Sequence, residues 1–250
     1  MLILENSSNK NWMLPIFAGI LALGLIISSI IVISGISNIK TKQNIITITG
    51  SAKQQIKSDI VVWSGTYSVQ SPELSSAYNL LKADTDKVRN YLKDKGIDVK
   101  DMVFTSINTV PNYALLPNGQ MSSTIQSYRL MQTVEVTSNN VDKITGISRV
   151  ATELINFGIE FQSNPPAYYY TKIADLKIGM LSLATKDAMN RAEKIADSTG
   201  SKIGKLRSAK MGVFQITPPY STAVSDSGIY DTTSIDKEIT AVMSCDFEIK

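Results

Sequence analysis

The chain has 250 residues, 43% of them hydrophobic and 19% charged, with a formal net charge of +3. It contains no histidine and one cysteine, Cys245. This composition removes Ser-His-Asp and Cys-His triads, histidine zinc sites, four-cysteine metal sites and any intramolecular disulfide, and the mild charge argues against nucleic acid as a partner.

Trp12 to Ile39 (WMLPIFAGILALGLIISSIIVISGISNI) has no charged side chain. About 20 apolar residues, each rising 1.5 Å, cross the hydrocarbon core of a bilayer. The run therefore predicts a transmembrane signal-anchor over 12–39, with a short tail at 1–11 and a body over 40–250. A cleaved signal peptide would have an apolar stretch of only about 7–15 residues and a small-x-small site, for which Ser34-Gly35-Ile36-Ser37 is a poor match. Trp12 is placed as an interfacial aromatic anchor. The flanking Lys40, Lys42, Lys53 and Lys57, against Lys10 and Glu5, lean slightly towards a cytoplasmic body.

Period-two patterns follow. Residues 45–50 and Ile60–Gln70 read as strands rich in β-branched residues, with Val61, Trp63, Tyr67 and Val69 on one face, and the polar 51–59 between them suggests a hairpin. Ser71 as N-cap and Pro72 at N1 open a helix striped by Leu74, Ala77, Leu81, Val88 and Leu92, and Gly96 stops it. Strands are expected at 101–110 and 127–137. The segment 111–126 between them, with Pro111, Pro117 and Asn118-Gly119, reads as a loop.

A second helix carries Val141, Ile144, Ile147, Ala151, Leu154 and Ile155 and ends at Gly158, before a short strand at 159–161. A long helix over 173–198 has the stripe Ile173, Leu176, Met180, Leu183, Ala184, Ala188, Ala192 and Ile195. A strand at 205–216, a polar loop at 217–234 and a six-step alternating strand at 237–249 complete the chain. The class is α+β: mostly antiparallel sheet with three helices packed on it, preceded by one N-terminal transmembrane helix.

Four segments of the body carry a family resemblance: ITITGSAKQQIKSDIVVW (45–63 region), VFTSINTVPNY (103–113), AMNRAEKIADSTGSKIGKL (188–206) and EITAVMSCDFEI (238–249). In order and spacing they resemble the SIMPL domain family, bacterial extracytoplasmic proteins that include periplasmic and outer-membrane-associated antigens. Ser127-Tyr128 and Gly50-Ser51-Ala52 depart from the family's Gly-Tyr and Gly-x-Gly turns. The resemblance implies an extracytoplasmic body behind a signal-anchor, which outweighs the lysine bias. It also implies a tendency to oligomerise, and it offers no catalytic residues to carry over.

No catalytic, cofactor or metal site is expected. Asp84 and Asp86 are two apart on a helix and do not face each other. Asp94, Asp98 and Asp101 are interspersed with Lys93, Lys95 and Lys100, and Cys245 alternates with core residues and lacks a base. The interaction candidates are tyrosines: Tyr168, Tyr169 and Tyr170 after two prolines, Tyr113 in the 111–126 loop and Tyr220 in the 217–234 loop. Three functions remain in play. The first is a non-enzymatic envelope module, anchored in the membrane through Trp12–Ile39, that forms homo-oligomers or binds an envelope protein. The second is a ligand-binding sensor ectodomain with a separate membrane signalling partner. The third, a carboxylate-dependent hydrolase, is favoured least.

Overall fold

The computed structural model describes residues 13–40, 44–117 and 119–250; Trp12, the 1–11 tail and Asn118 lie outside them. In chain order the elements are α1 (Met13–Lys40), β1 (Ile45–Lys57), β2 (Ile60–Ser71), α2 (Leu74–Asp94), β3 (Met102–Phe104), β4 (Asn108–Leu115), β5 (Met121–Ser138), α3 (Val141–Val150), β6 (Glu160–Ser163), β7 (Ala167–Tyr169), α4 (Ile173–Ser198), β8 (Ile203–Met211), β9 (Gln215–Thr217), β10 (Ile229–Tyr230) and β11 (Asp236–Ile249). The class is α+β as read, with three body helices after the apolar α1. The pairings of β2 with β5, β6 and β7, of β5 with β3 and β4, and of β11 with β8 and β9 are antiparallel, and β9 with β10 is parallel.

The chain forms two compact units. The larger, residues 51–184 and 212–242, holds a six-stranded sheet built around β2 and β5. Their ladder runs from Val61↔Ser138 to Ser71↔Tyr128. Alternation puts Val61, Trp63 and Tyr67 on the inner face, each fully buried. Leu130, Val134 and Val136 of β5 join them, and Ala77, Leu81, Val88 and Leu92 of α2 belong to the same core. Burial of each large apolar side chain there is worth roughly 1.5–3 kcal/mol. In this unit β11 pairs with β9 through Glu238↔Thr217 to Thr240↔Gln215.

The smaller unit combines the segment ending at Gly50 with 185–211 and 243–250. In it β8 pairs with β11 from Met243↔Met211 to Ile249↔Ile203. Cys245 and Phe247 of β11 and Ala188, Ala192 and Ala196 of α4 are among its buried side chains. The backbone of Lys202 exchanges hydrogen bonds with that of Lys250, and Ile249 N–H donates to the Asn44 carbonyl.

Several expectations are corrected. The strands at 45–50 and 60–70 do not make a hairpin: β1 extends to Lys57 and runs beside β11, whereas β2 belongs to the other sheet. The Ser58-Asp59 link has no glycine for a tight hairpin turn. It is held as a crossing instead: Ser58 N–H donates to the Ile235 carbonyl and Asp59 N–H to the Tyr169 carbonyl, while the Asp59 carboxylate accepts from Thr171 N–H and Oγ1. The expected loop at 111–126 is mostly strand, because β4 is an edge that spares the donor Pro111 lacks. The strand read at 101–110 splits into β3 and β4.

Helix α2 begins at Leu74, two residues past Pro72, with Glu73 as N-cap, and Leu74 is exposed. After Val150 the second helix tightens into a 3-10 turn, Ala151–Phe157, which leaves Ile155 exposed; Gly158, at φ +77°, ends it as read. On α4 the buried stripe is Met180, Ala184, Ala188, Ala192 and Ala196, at i, i+4 spacing. Leu183 and Ile195 fall outside it and are exposed, since the small residues dominate the contact line. The 205–216 strand breaks at 212–214 into β8 and β9, and the 217–234 loop contains β10.

Candidate interaction surface

Three of the aspartates read from the sequence are held in ion pairs. Asp84 Oδ1 lies 2.9 Å from Lys87 Nζ and Asp86 Oδ1 lies 2.7 Å from Arg89 Nη1, both pairs one helical turn apart on α2. Asp98 pairs with Lys100 at 3.5 Å. Among the described residues no three acidic or cysteine side chains are grouped to hold a metal ion. Cys245 is fully buried, and burial together with neighbouring Asp246 pushes its thiol up from the ordinary value.

The five tyrosines sit on three pieces of the larger unit. Tyr168, on β7 opposite Val61, is buried, and its hydroxyl lies 3.0 Å from Thr145 Oγ1 in the core. Tyr169 is partly exposed on the other face of the same short strand, and Tyr170 follows it half-buried. Tyr220 is 88% exposed, and its φ of 64° is the only positive value at a described non-glycine residue. Tyr113 stands on β4, in the most distinctive surface of the protein.

That surface is the β4–β5 ribbon. The β2–β5 ladder stops at Ser71↔Tyr128, whereas β4 and β5 stay paired out to Leu115↔Met121. Among the described residues, 112–127 therefore run on as two strands without a third. Ser127 Oγ pins the root by accepting from Gln70 Nε2 at 2.8 Å and Asn112 Nδ2 at 3.3 Å. At the tip, Leu116 N–H donates to the Gln120 carbonyl, and Gly119, at φ +80°, supplies the left-handed turn residue. The cross-strand pairs Tyr113↔Ile125 and Leu115↔Met121, separated by a register shift, bring four large apolar side chains together on the ribbon, with Tyr113 and Leu115 on one face of β4.

Sequence reading named Tyr113 and the 111–126 segment but missed Leu115, which stands between Pro111 and Pro117, and Met121 and Ile125, which the polar Ser122, Ser123 and Thr124 separate. A further signal was available. No Asp, Glu, Lys or Arg occurs from Met102 to Tyr128, the longest uncharged run after the N-terminal apolar segment.

At the ribbon's base an apolar groove of about 930 Å³ opens between the start of α2 and the sheet. Pro72, Leu74, Tyr78, Ile107, Tyr128 and Leu130 line it, with Glu73 and Asn79 among its polar members. The smaller unit has a shallower groove along Ile48 and Ile195, edged by Arg191 and Lys194.

The architecture is that of an α+β body preceded by an apolar N-terminal helix. The chain belongs to the SIMPL family, described as "Protein of unknown function (DUF541)", whose model matches residues 46–247. It is similar to the Edwardsiella ictaluri (strain 93-146) protein named "Uncharacterized protein YggE", with 23% identity over 180 residues that cover 71% of this chain and 72% of that relative.

Proposed function

We propose that this protein is a membrane-anchored module of the cell envelope, with its body outside the cytoplasm, that acts by association and not by catalysis. The observation that carries the reading is α1. It is 28 residues long, and none of Ile16–Ile33 is buried by the rest of the protein. A helix apolar on every side needs a cover other than water, and a bilayer supplies one over about 20 residues. SIMPL membership supports an extracytoplasmic body against the weak pull of the flanking lysines. The paired carboxylates and sealed thiol support action through surfaces.

Alkaline carbonate extraction and outside-added protease test this together. The protein is expected to stay in the membrane pellet and to lose its body to protease in intact spheroplasts. Release by carbonate, or a protected body, overturns the anchor or its direction. Light scattering of the detergent-solubilised chain tests association: a strict monomer at micromolar concentration counts against it.

A second reading, a ligand-binding ectodomain with a membrane signalling partner, is favoured by the groove at the start of α2, whose apolar lining and few polar groups are those of a small-molecule site. A ligand that raises Tm of the full chain but not of its Leu74→Asp variant would support it. No such ligand in a broad screen would remove it.

A further inference from the structure

The structure assigns a surface for that association: we propose that the β4–β5 ribbon packs against the same ribbon of a second copy of this chain, with Tyr113, Leu115, Met121 and Ile125 of each copy covering those of the other. The inference rests on the reading of the protein as an associating envelope module, and it names the surface that does the work.

Three observations lead to it. The first is exposure. Tyr113 and Ile125 are 40% exposed, Leu115 69% and Met121 75%, whereas Val61, Trp63 and Tyr67 of β2 and Leu130, Val134 and Val136 of β5 in the same unit are at most 1% exposed. Four large apolar side chains gathered on a free ribbon are an unmet burial demand, not scattered surface residues.

The second is incompleteness. Two strands with no third beside them are marginal in water, and three or more strands, or packing of an apolar face, are needed for stability. Here the root is anchored through Ser127 and the tip is closed at Gly119, yet the span between has neither neighbour among the described residues. A second ribbon laid face to face supplies the missing layer.

The third is charge, and it selects the occupant. A ribbon that met a different protein could carry charges matched by its partner. One that met anionic headgroups would collect lysine and arginine. An isologous contact brings a patch against its own copy, so a charge on it would face its own sign. From Met102 to Tyr128 there is none, in a chain that is 19% charged. An exposed strand edge stripped of charge also lacks the usual guard against self-pairing. The uncharged run covers the ribbon and stops at its root, where Arg129 takes up Ser68 Oγ at 2.9 Å. Copies held in one bilayer by α1 would meet at raised effective concentration, so a patch of this size suffices where a free protein would need more.

The experiment uses the full chain in detergent and in bilayer nanodiscs. Met121→Glu and Leu115→Lys place a charge on the ribbon at positions that make no core contact. Each is expected to weaken the dimer at least tenfold by sedimentation, with unchanged circular dichroism. Val224→Glu, on a residue 82% exposed outside the ribbon, is the control and is expected to associate like the parent. The photo-crosslinking substitution Tyr113→p-benzoylphenylalanine is expected to yield an adduct of twice the chain mass. A parent that associates while Met121→Glu and Leu115→Lys associate equally well overturns the ribbon and leaves the associating module standing. An adduct of Tyr113→p-benzoylphenylalanine with lipid or with another polypeptide overturns the self-contact. A parent that stays monomeric throughout overturns both.

Discussion

The Lys237 ammonium meets the Asp231 carboxylate inside the larger unit: Nζ lies 3.1 Å from Oδ2, with 2% and 7% of the two side chains exposed. Lys237 occupies an inward position of β11, two residues before Ile239, where alternation would place an apolar side chain. It is tolerated because its donors are used. Nζ also gives hydrogen bonds to the Asp231 carbonyl at 2.7 Å and the Ser234 carbonyl at 2.6 Å. Asp231 in turn accepts from Thr233 and Ser234. The end of the 217–234 segment is thus clamped to β11. Lys237→Met strands a buried carboxylate and two carbonyls. It is expected to cost about 3 kcal/mol, towards the low end for breaking a buried pair, since the hydroxyl donors to Asp231 remain. Urea titration measures it, and a loss below about 0.5 kcal/mol, the range of plain surface changes, would contradict the clamp.

Acid stability follows from the same site. Burial alone would raise the Asp231 carboxyl, but hydrogen bonds from Ser234, Thr233 and Lys237 outweigh it and hold the group well below the usual carboxylate range. A depressed carboxyl contributes stability above its unfolded value, about 3.9, and loses it as pH falls through the folded value. The gap in unfolding free energy between the parent and Asp231→Asn is therefore expected to be full at pH 6 and to shrink below about pH 4. A gap independent of pH would show that the charge is not what matters.

At the alkaline end Tyr67 governs. Its hydroxyl lies 2.9 Å from Thr85 Oγ1 and donates to Gln132 Oε1 at 2.8 Å. Burial pushes the phenol up to about 12, against a lowering by the Thr85 contact. A raised phenol keeps its proton in the folded state where the unfolded chain would lose it, so stability should decline from about pH 10 upward. Tyr67→Phe should flatten that decline and cost about 1 kcal/mol at neutral pH through the lost hydrogen bonds. Absorbance titration at high pH should read one fewer late-titrating tyrosine in the variant than in the parent, since burial also raises Tyr91 and that group remains in both.

Gly65 is required by a ring. A Cβ built there would lie 2.2 Å from Phe161 Cζ. Phe161 is buried across the ladder and tilts at 44° to Trp63, with centroids 6.4 Å apart. Gly65→Ala should therefore destabilise by about 1–3 kcal/mol through overpacking. Gly65→Ala combined with Phe161→Leu should lose less than the sum of the two single changes, because the shorter side chain clears the methyl. Strict additivity in denaturant melts would place the strain elsewhere.

The Cys245 thiol should stay silent towards a maleimide in the native protein and react stoichiometrically once unfolded, since it is sealed and its thiolate disfavoured. Native labelling at the rate of a free thiol would mean that β11 opens readily.

Period-two and period-3.6 patterns were legible wherever one face was buried and the other wet. β11 shows it most cleanly, from Ile239 to Phe247, and α2 shows it from Ala77 to Leu92. What alternation could not reveal was partnership. Ile45–Lys57 and Ile60–Ser71 are adjacent in sequence and read as a hairpin, yet they enter different sheets, because the choice is made by Ser58 and Asp59 hydrogen bonds to residues more than a hundred positions away. The ribbon was half legible for the opposite reason. Neither of its faces is buried by its own chain, so no burial contrast marks its residues, and its prolines mimicked a loop.

The smaller unit is stitched from three stretches that are remote in sequence, and its Thr47–Asp246 hydrogen bond spans 199 positions. Its strand β8 has no β11 to pair with until residue 249 has been synthesised. During that interval β1 is a strand without its neighbour, and folding must wait on loop closures that grow slower with length. The cell has to keep the half-made chain from pairing with anything else, so the demand on chaperones should fall heavily on truncated or stalled copies of this protein.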